Sequence, residues 1–170
     1  MTAAASTRPS LLQVIVGAGL LVGTLDIADA ILFYGLRGVS PTRILQGIAF
    51  GLIGPTAFTH GTRSALLGLL LHFFIAFTVA TIYLLLSRRL PLSRRPWLWG
   101  TLYGIAVYAA MNYIVLPLSH IGLRPLPSLG PLINGVAALI FCIGIPLAFL
   151  ARRYVPYKSS LHEEDHVEPI

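Results

Sequence analysis

Two carboxylates, Asp26 and Asp29, stand three residues apart inside a long apolar run, and no other acidic residue occurs before the last eight positions of the chain. At membrane depth a carboxylate costs about 2.5–3.5 kcal/mol on insertion scales, so a partner, water or a proton must offset it. On a helix, residues three apart are neighbours. The two like charges would therefore titrate as one coupled unit. That chemistry suits holding a proton, a cation or the polar head of a small solute.

The strongest other polar groups in the apolar runs are His72, Asn112 and Asn134. Counting Lys and Arg sets the orientation. With the N-terminus inside, Arg8, Arg88, Arg89, Arg94, Arg95, Arg152, Arg153 and Lys158 are cytoplasmic, eight against the four of the far side, Arg37, Arg43, Arg63 and Arg124. Both termini are thus expected in the cytoplasm. Asp26, Asp29, His72 and Asn112 then fall in the outer part of their spans at similar depth, with Asn134 near the outer end of its own. The expectation is an outward-facing polar cavity built from Asp26, Asp29, His72 and Asn112, with Arg37 or Arg43 reaching in as a counter-charge. The competing reading is packing, because interhelical hydrogen bonds average under about 1 kcal/mol and are common glue. His72 on its own would read as a packing residue.

The elements that position these groups are four apolar blocks, residues 11–34, 64–87, 97–118 and 130–151. Each is long enough to cross a bilayer at about 1.5 Å per residue. The composition agrees: 56% of residues are hydrophobic and 11% charged, well outside the soluble range. The fold class expected is an all-α membrane protein. It has four transmembrane helices and a short interfacial helix between the first and second. Residues 1–10 form a cytoplasmic N-terminus, 11–153 the transmembrane domain and 154–170 an acidic, disordered cytoplasmic tail.

Ser10 is a plausible start for the first helix, and Gly19 and Gly23 on it form a small-xxx-small pair for close helix approach. Ser40-Pro41 reads as a capping serine with proline at the first helical position. Ile44, Leu45, Ile48, Ala49, Leu52 and Ile53 then make one apolar stripe, with Arg43, Gln46 and Gly47 off it, until Gly54-Pro55 ends the run. That pattern fits a helix lying in the interface; a re-entrant loop is the alternative. Trp97 and Trp99 suit an aromatic belt. Gly100 and Gly104 have GxxxG spacing, read first as close packing and second as a dimer seam. Pro117 ends or kinks the third span.

Several functions are excluded or discounted. The net charge of +6 comes from basic residues at the block ends, so no nucleic acid is expected as a partner. Cys142 is the single cysteine, which removes intramolecular disulfides and dithiol redox work. Arg8 with Ala28-Asp29-Ala30 imitates a signal peptide, but the apolar run is long for one and continues past that site. His162-Glu163-Glu164-Asp165-His166 satisfies H-E-x-x-H, yet it sits in the tail without a third ligand or a shaped cavity. No metal site and no cofactor are expected.

From His72 onward the layout is similar to the YagU-like proteins, small bacterial inner-membrane proteins of poorly defined function. The residues that carry the likeness are Leu71-His72-Phe73-Phe74, the turn at Arg89-Leu90-Pro91, then Leu98-Trp99-Gly100, Leu102-Tyr103-Gly104 and Leu116-Pro117-Leu118. They cover about half the chain. The first loop is shorter than in those relatives. The resemblance implies a bacterial inner-membrane location and brings no catalytic residues with it. The leading expectation is non-enzymatic: a membrane protein, in the lipid bilayer and suited to a homo-oligomer, that binds or passes a proton, cation or small solute. The alternatives are an accessory subunit whose Asp26 and Arg37 or Arg43 contact a partner's helices, and an intramembrane enzyme using Asp26, Asp29 and His72 on a lipid or quinone.

Overall fold

The structure is a computed structural model and describes residues 9–125 and 127–155. The first residues of the expected N-terminal segment and the H-E-x-x-H tail lie outside the described residues. Among the described residues there is no strand. Helix α1 spans Leu11–Gly35, α2 Pro41–Ile53, α3 Gly61–Arg89, α4 Pro96–Leu118 and α5 Leu129–Tyr154. All but α2 are long and apolar enough to cross a membrane, the mark of a multi-pass membrane protein. α1 and α3 measure roughly 37 and 43 Å at 1.5 Å per residue, which exceeds a hydrocarbon core of about 30 Å.

The caps follow the local chemistry. Ser10 closes a capping box with Gln13: its Oγ accepts from the Gln13 amide, and the Gln13 side chain accepts from the Ser10 amide at 2.8 Å. Ser40 caps α2 through the Arg43 amide at 3.3 Å, with Pro41 at the first position. α2 stops at Gly54, whose φ of 63° is a left-handed value that a Cβ would resist.

Glycine sets where helices touch. The Phe77 and Phe73 rings of α3 lie where a Cβ of Gly19 or Gly23 would be. Gly100 and Gly104 of α4 meet the α5 backbone at Gly144 and Ile140. The GxxxG pair is therefore an intrachain seam. Gly68 of α3 takes the Leu45 carbonyl of α2.

α4 and α5 each contain a π turn, at Met111–Val115 and Leu139–Gly144. Both precede a proline. The ring of Pro117 or Pro146 clashes with the carbonyl four residues back in a regular helix. Here the Leu116 and Ile145 amides reach back five residues instead, to Met111 and Ile140. The π turn relieves the clash at Pro117, and α4 ends one residue beyond it, at Leu118.

The core fills the half of the bundle nearest Leu11. It joins Val14, Ala18 and Val22 of α1, Ala80, Tyr83 and Leu84 of α3, and Leu147, Ala148 and Ala151 of α5. Tyr103 of α4 donates its hydroxyl to the Val79 carbonyl at 2.7 Å. The neighbouring Tyr83 hydroxyl is buried without a hydrogen-bond partner. Packing is thus tight at one end, and the other end opens into a chamber.

Candidate functional site: a chamber at the Gly35 end

The chamber holds about 620 Å³ and is walled by all four long helices together with α2. Its deep part is aliphatic: Ile27, Ala76, Val79, Val107, Leu139 and Ile143. Its mouth carries Tyr34, Arg43, Ser119 and Arg124. The side chains of Asp26 on α1 and His72 on α3 also line the chamber, next to each other. Asp26 lies nine residues inside the end of α1, about 13 Å of helix at 1.5 Å per residue.

α2 forms one side of this chamber, in a way its single apolar stripe did not suggest. Arg43, Ile44, Gly47, Ile48, Gly51 and Leu52 face the cavity. The adjoining face, with Gln46 and Ala49 buried, lies on α3. Gln46, read from sequence as off the packed stripe, donates from its Nε2 to the Gly61 carbonyl at 3.0 Å. At its far end the Gly51 carbonyl accepts from the His120 amide at 3.0 Å. The helix is therefore fixed along its length to α3 and to the loop after α4.

The Asp26–His72 arrangement has one determined feature. His72 Nε2 lies 2.8 Å from the Gly23 carbonyl oxygen. A carbonyl only accepts, so Nε2 carries the hydrogen. That leaves Nδ1 turned toward Asp26 Oδ2 at 4.0 Å. In the neutral ring Nδ1 is a lone-pair acceptor, and any proton the pair takes up sits on Nδ1 or on the carboxylate. His72 and Asp26 are 11% and 25% exposed in their side chains, shielded yet reachable from the chamber. His72 is the only ion-pair partner of Asp26 among the described residues.

The remaining sequence candidates have other surroundings. Asp29 accepts from Asn134 Nδ2 of α5 at 2.8 Å, a helix-to-helix bond outside the cavity lining. Asn134 is outside the set expected at the cavity, because a lone amide near a span end gives little signal. Asn112 does not reach the chamber: its Nδ2 donates to the Tyr108 carbonyl of its own helix at 2.9 Å. Arg37 folds back on α1, its guanidinium over the Phe33 ring at 3.6 Å and bonded to the Phe33 carbonyl at 2.7 Å. It too lies outside the lining. Arg43 does line the mouth, stacked over Phe58 at 3.7 Å. Tyr34, in the last turn of α1, and Ser119 and Arg124, brought in by the loop after α4, were not among the residues expected at the cavity.

No group of three or more His, Cys, Asp or Glu side chains able to hold a metal occurs among the described residues. No family model, curated protein or solved structure matches the chain.

Proposed function

We propose that this is a bacterial inner-membrane protein, with both termini cytoplasmic, that binds a small and largely apolar solute in an outward-facing chamber. The observation that carries the reading is the convergence of Asp26 and His72 on an aliphatic cavity of about 620 Å³. That volume is in the range of sites for single small organic molecules, which are mostly apolar with a few placed polar groups. A structural knot alone has no use for such a space, which forfeits packing contacts along its walls. The eight-to-four excess of Lys and Arg on the N-terminal side supports the orientation. The inner-membrane location rests on the YagU-like layout of the sequence.

The test uses Gly47, which lines the chamber and where an added Cβ meets nothing within 4 Å. Gly47→Cys on a Cys142→Ala background is expected to react with a membrane-impermeant maleimide added outside intact cells. Gly17→Cys, equally uncrowded but exposed on the outside of α1, is the unreactive control. Labelling of Gly47→Cys from the cytoplasmic side, or from neither side, overturns an outward chamber.

A further inference from the structure

The acceptor geometry of the Asp26–His72 pair names a ligand class. We infer that the chamber takes an amphipathic primary amine, whose ammonium bridges Asp26 Oδ2 and His72 Nδ1 and displaces one proton from the pair. This rests on the solute-binding reading above.

Unprotonated, the pair offers acceptors only: the carboxylate oxygens and the Nδ1 lone pair, because Gly23 holds the ring hydrogen on Nε2. The two facing atoms are 4.0 Å apart, too far to share a direct hydrogen bond. A nitrogen placed about 2.9 Å from both, an ordinary N–H···O or N–H···N length, subtends an angle of about 90° there. That is close to the spread of two N–H bonds on one ammonium. A hydroxyl has a single hydrogen and satisfies one atom of the pair. A quaternary or phosphonium cation has the charge without the donors. Charge and donor count together therefore select a protonated amine with at least two N–H bonds, R–NH3⁺ being the least hindered, with its apolar part in the aliphatic space toward Val79, Val107 and Ile143.

The charge balance is closed. The pair with one proton is neutral, either as the carboxylic acid beside a neutral ring or as the ion pair. When R–NH3⁺ docks, the pair must be the carboxylate and the neutral ring, so the proton leaves to water. One positive charge enters and one departs. The other titratable or charged groups near the pair are Asp29 and Tyr34 on α1, Arg43 on α2, Arg124 at the mouth and the Cys142 thiol on α5, which lies within electrostatic range of both aspartates. Asp29 is engaged by Asn134. Arg43 and Arg124 are exposed, where salt screens charge over about 8 Å.

The experiment is calorimetric titration of the full chain in phosphatidylcholine nanodiscs, whose headgroup carries no N–H donor. The probes are phenethylammonium, phenethyl alcohol and tetraphenylphosphonium. Repeating the ammonium titration in buffers of different ionisation enthalpy counts the protons released. The expected result is ammonium bound at least about tenfold tighter than the alcohol, the advantage of a charge-assisted bond over a neutral one. Release of up to one proton, fading as pH rises, accompanies it. Asp26→Asn is expected to bring ammonium down to the alcohol's affinity, and the comparison of probes on the unmodified protein stands even if that variant fails to fold. A repeat with phosphatidylethanolamine present separates the sources of the amine: weakened binding means the lipid's own ammonium occupies the site, unchanged binding means a free amine. Equal binding of alcohol and ammonium, or phosphonium as tight as ammonium, overturns the inference and leaves the chamber reading intact. No binding by any probe overturns both.

Discussion

Replacing Gly104 by alanine tests the α4–α5 seam where two backbone atoms of α5 crowd α4. A Cβ there would lie 2.6 Å from the Ile140 Cα and 2.6 Å from the Leu139 carbonyl oxygen. Carbon atoms settle at about 3.5–4.0 Å, so the two helices must separate by roughly 1 Å at this crossing. Both obstacles are backbone, which cannot rotate aside as a side chain would. The separation also loosens the Gly100–Gly144 contact one turn away, and a gap of about 0.5–1 Å forfeits a quarter to a half of each dispersion contact. Overpacking of this kind costs about 1–3 kcal/mol. Gly47→Ala is the matched control: the added methyl meets nothing within 4 Å, and removing a mid-helix glycine gains up to about 1 kcal/mol. The assay is reversible unfolding in mixed micelles, followed by tryptophan fluorescence at several protein concentrations. Trp97 and Trp99 open α4, so the signal reports on the helix that must move. Gly104→Ala as stable as the parent would refute the packing argument. A loss of stability that vanishes at high protein concentration would refute it differently, by making the glycine pair a dimer seam.

Three further outcomes follow from the geometry. Asp29→Ala and Asn134→Ala should each destabilise by roughly 0.6–1.7 kcal/mol, the range for interhelical bonds in membranes. Their double variant should cost less than the sum, and strict additivity in the unfolding cycle would mean the 2.8 Å bond contributes nothing. Selective ¹⁵N labelling of His72 should give the Nε2–H tautomer whenever the ring is neutral, since Nε2 faces the Gly23 carbonyl; resonances of the Nδ1–H form would count against the pair as drawn. Gly68→Val should push α2 off α3, because the Leu45 carbonyl lies where its Cβ must go. Maleimide labelling of Gly47→Cys should then change in rate several-fold, about 1 kcal/mol in the opening of α2. An unchanged rate would mean that α2 stays in place without that contact.

The long helices and their starts were legible because bilayer length and capping chemistry act locally. Ser10, Ser40 and Gly54 do in the structure what their types predict. Which face of each helix meets protein was not legible, and the reason is physical. Lipid tails are as apolar as leucine, so a residue turned to lipid and one turned to protein look alike in sequence. α2 shows the consequence: its apolar stripe divides between α3 and the chamber, and polar Gln46 is among its buried residues. The candidate site was half readable. Asp26 and His72 share a depth set by helix length, and they meet. Asn112 shares that depth but turns to its own backbone, because depth fixes the height of a residue and leaves its azimuth free. Arg37 could not be followed from sequence either, since an arginine at a helix end reaches its own last-turn carbonyls as easily as a neighbour. Here it bonds the Phe33 carbonyl.

The π turns before Pro117 and Pro146 also govern how this chain tolerates changes in length. A π turn holds one residue more than the α-helix it interrupts, and each residue of an α-helix advances the azimuth by about 100°. Deleting a single residue from Met111–Val115 would therefore not simply shorten α4. It would return the turn to α geometry and restore the proline clash, while the residues after it keep about their present azimuth, because the π turn already absorbs the extra residue's roughly 100°. Relieving that clash would bend α4 before Pro117 and carry Ser119, Ile121 and Arg124, which line the chamber mouth, off it while the Asp26–His72 pair stayed where it is. Selection on the mouth would thus be felt as a fixed residue count between Gly104 and Pro117, even at positions whose side chains face only lipid.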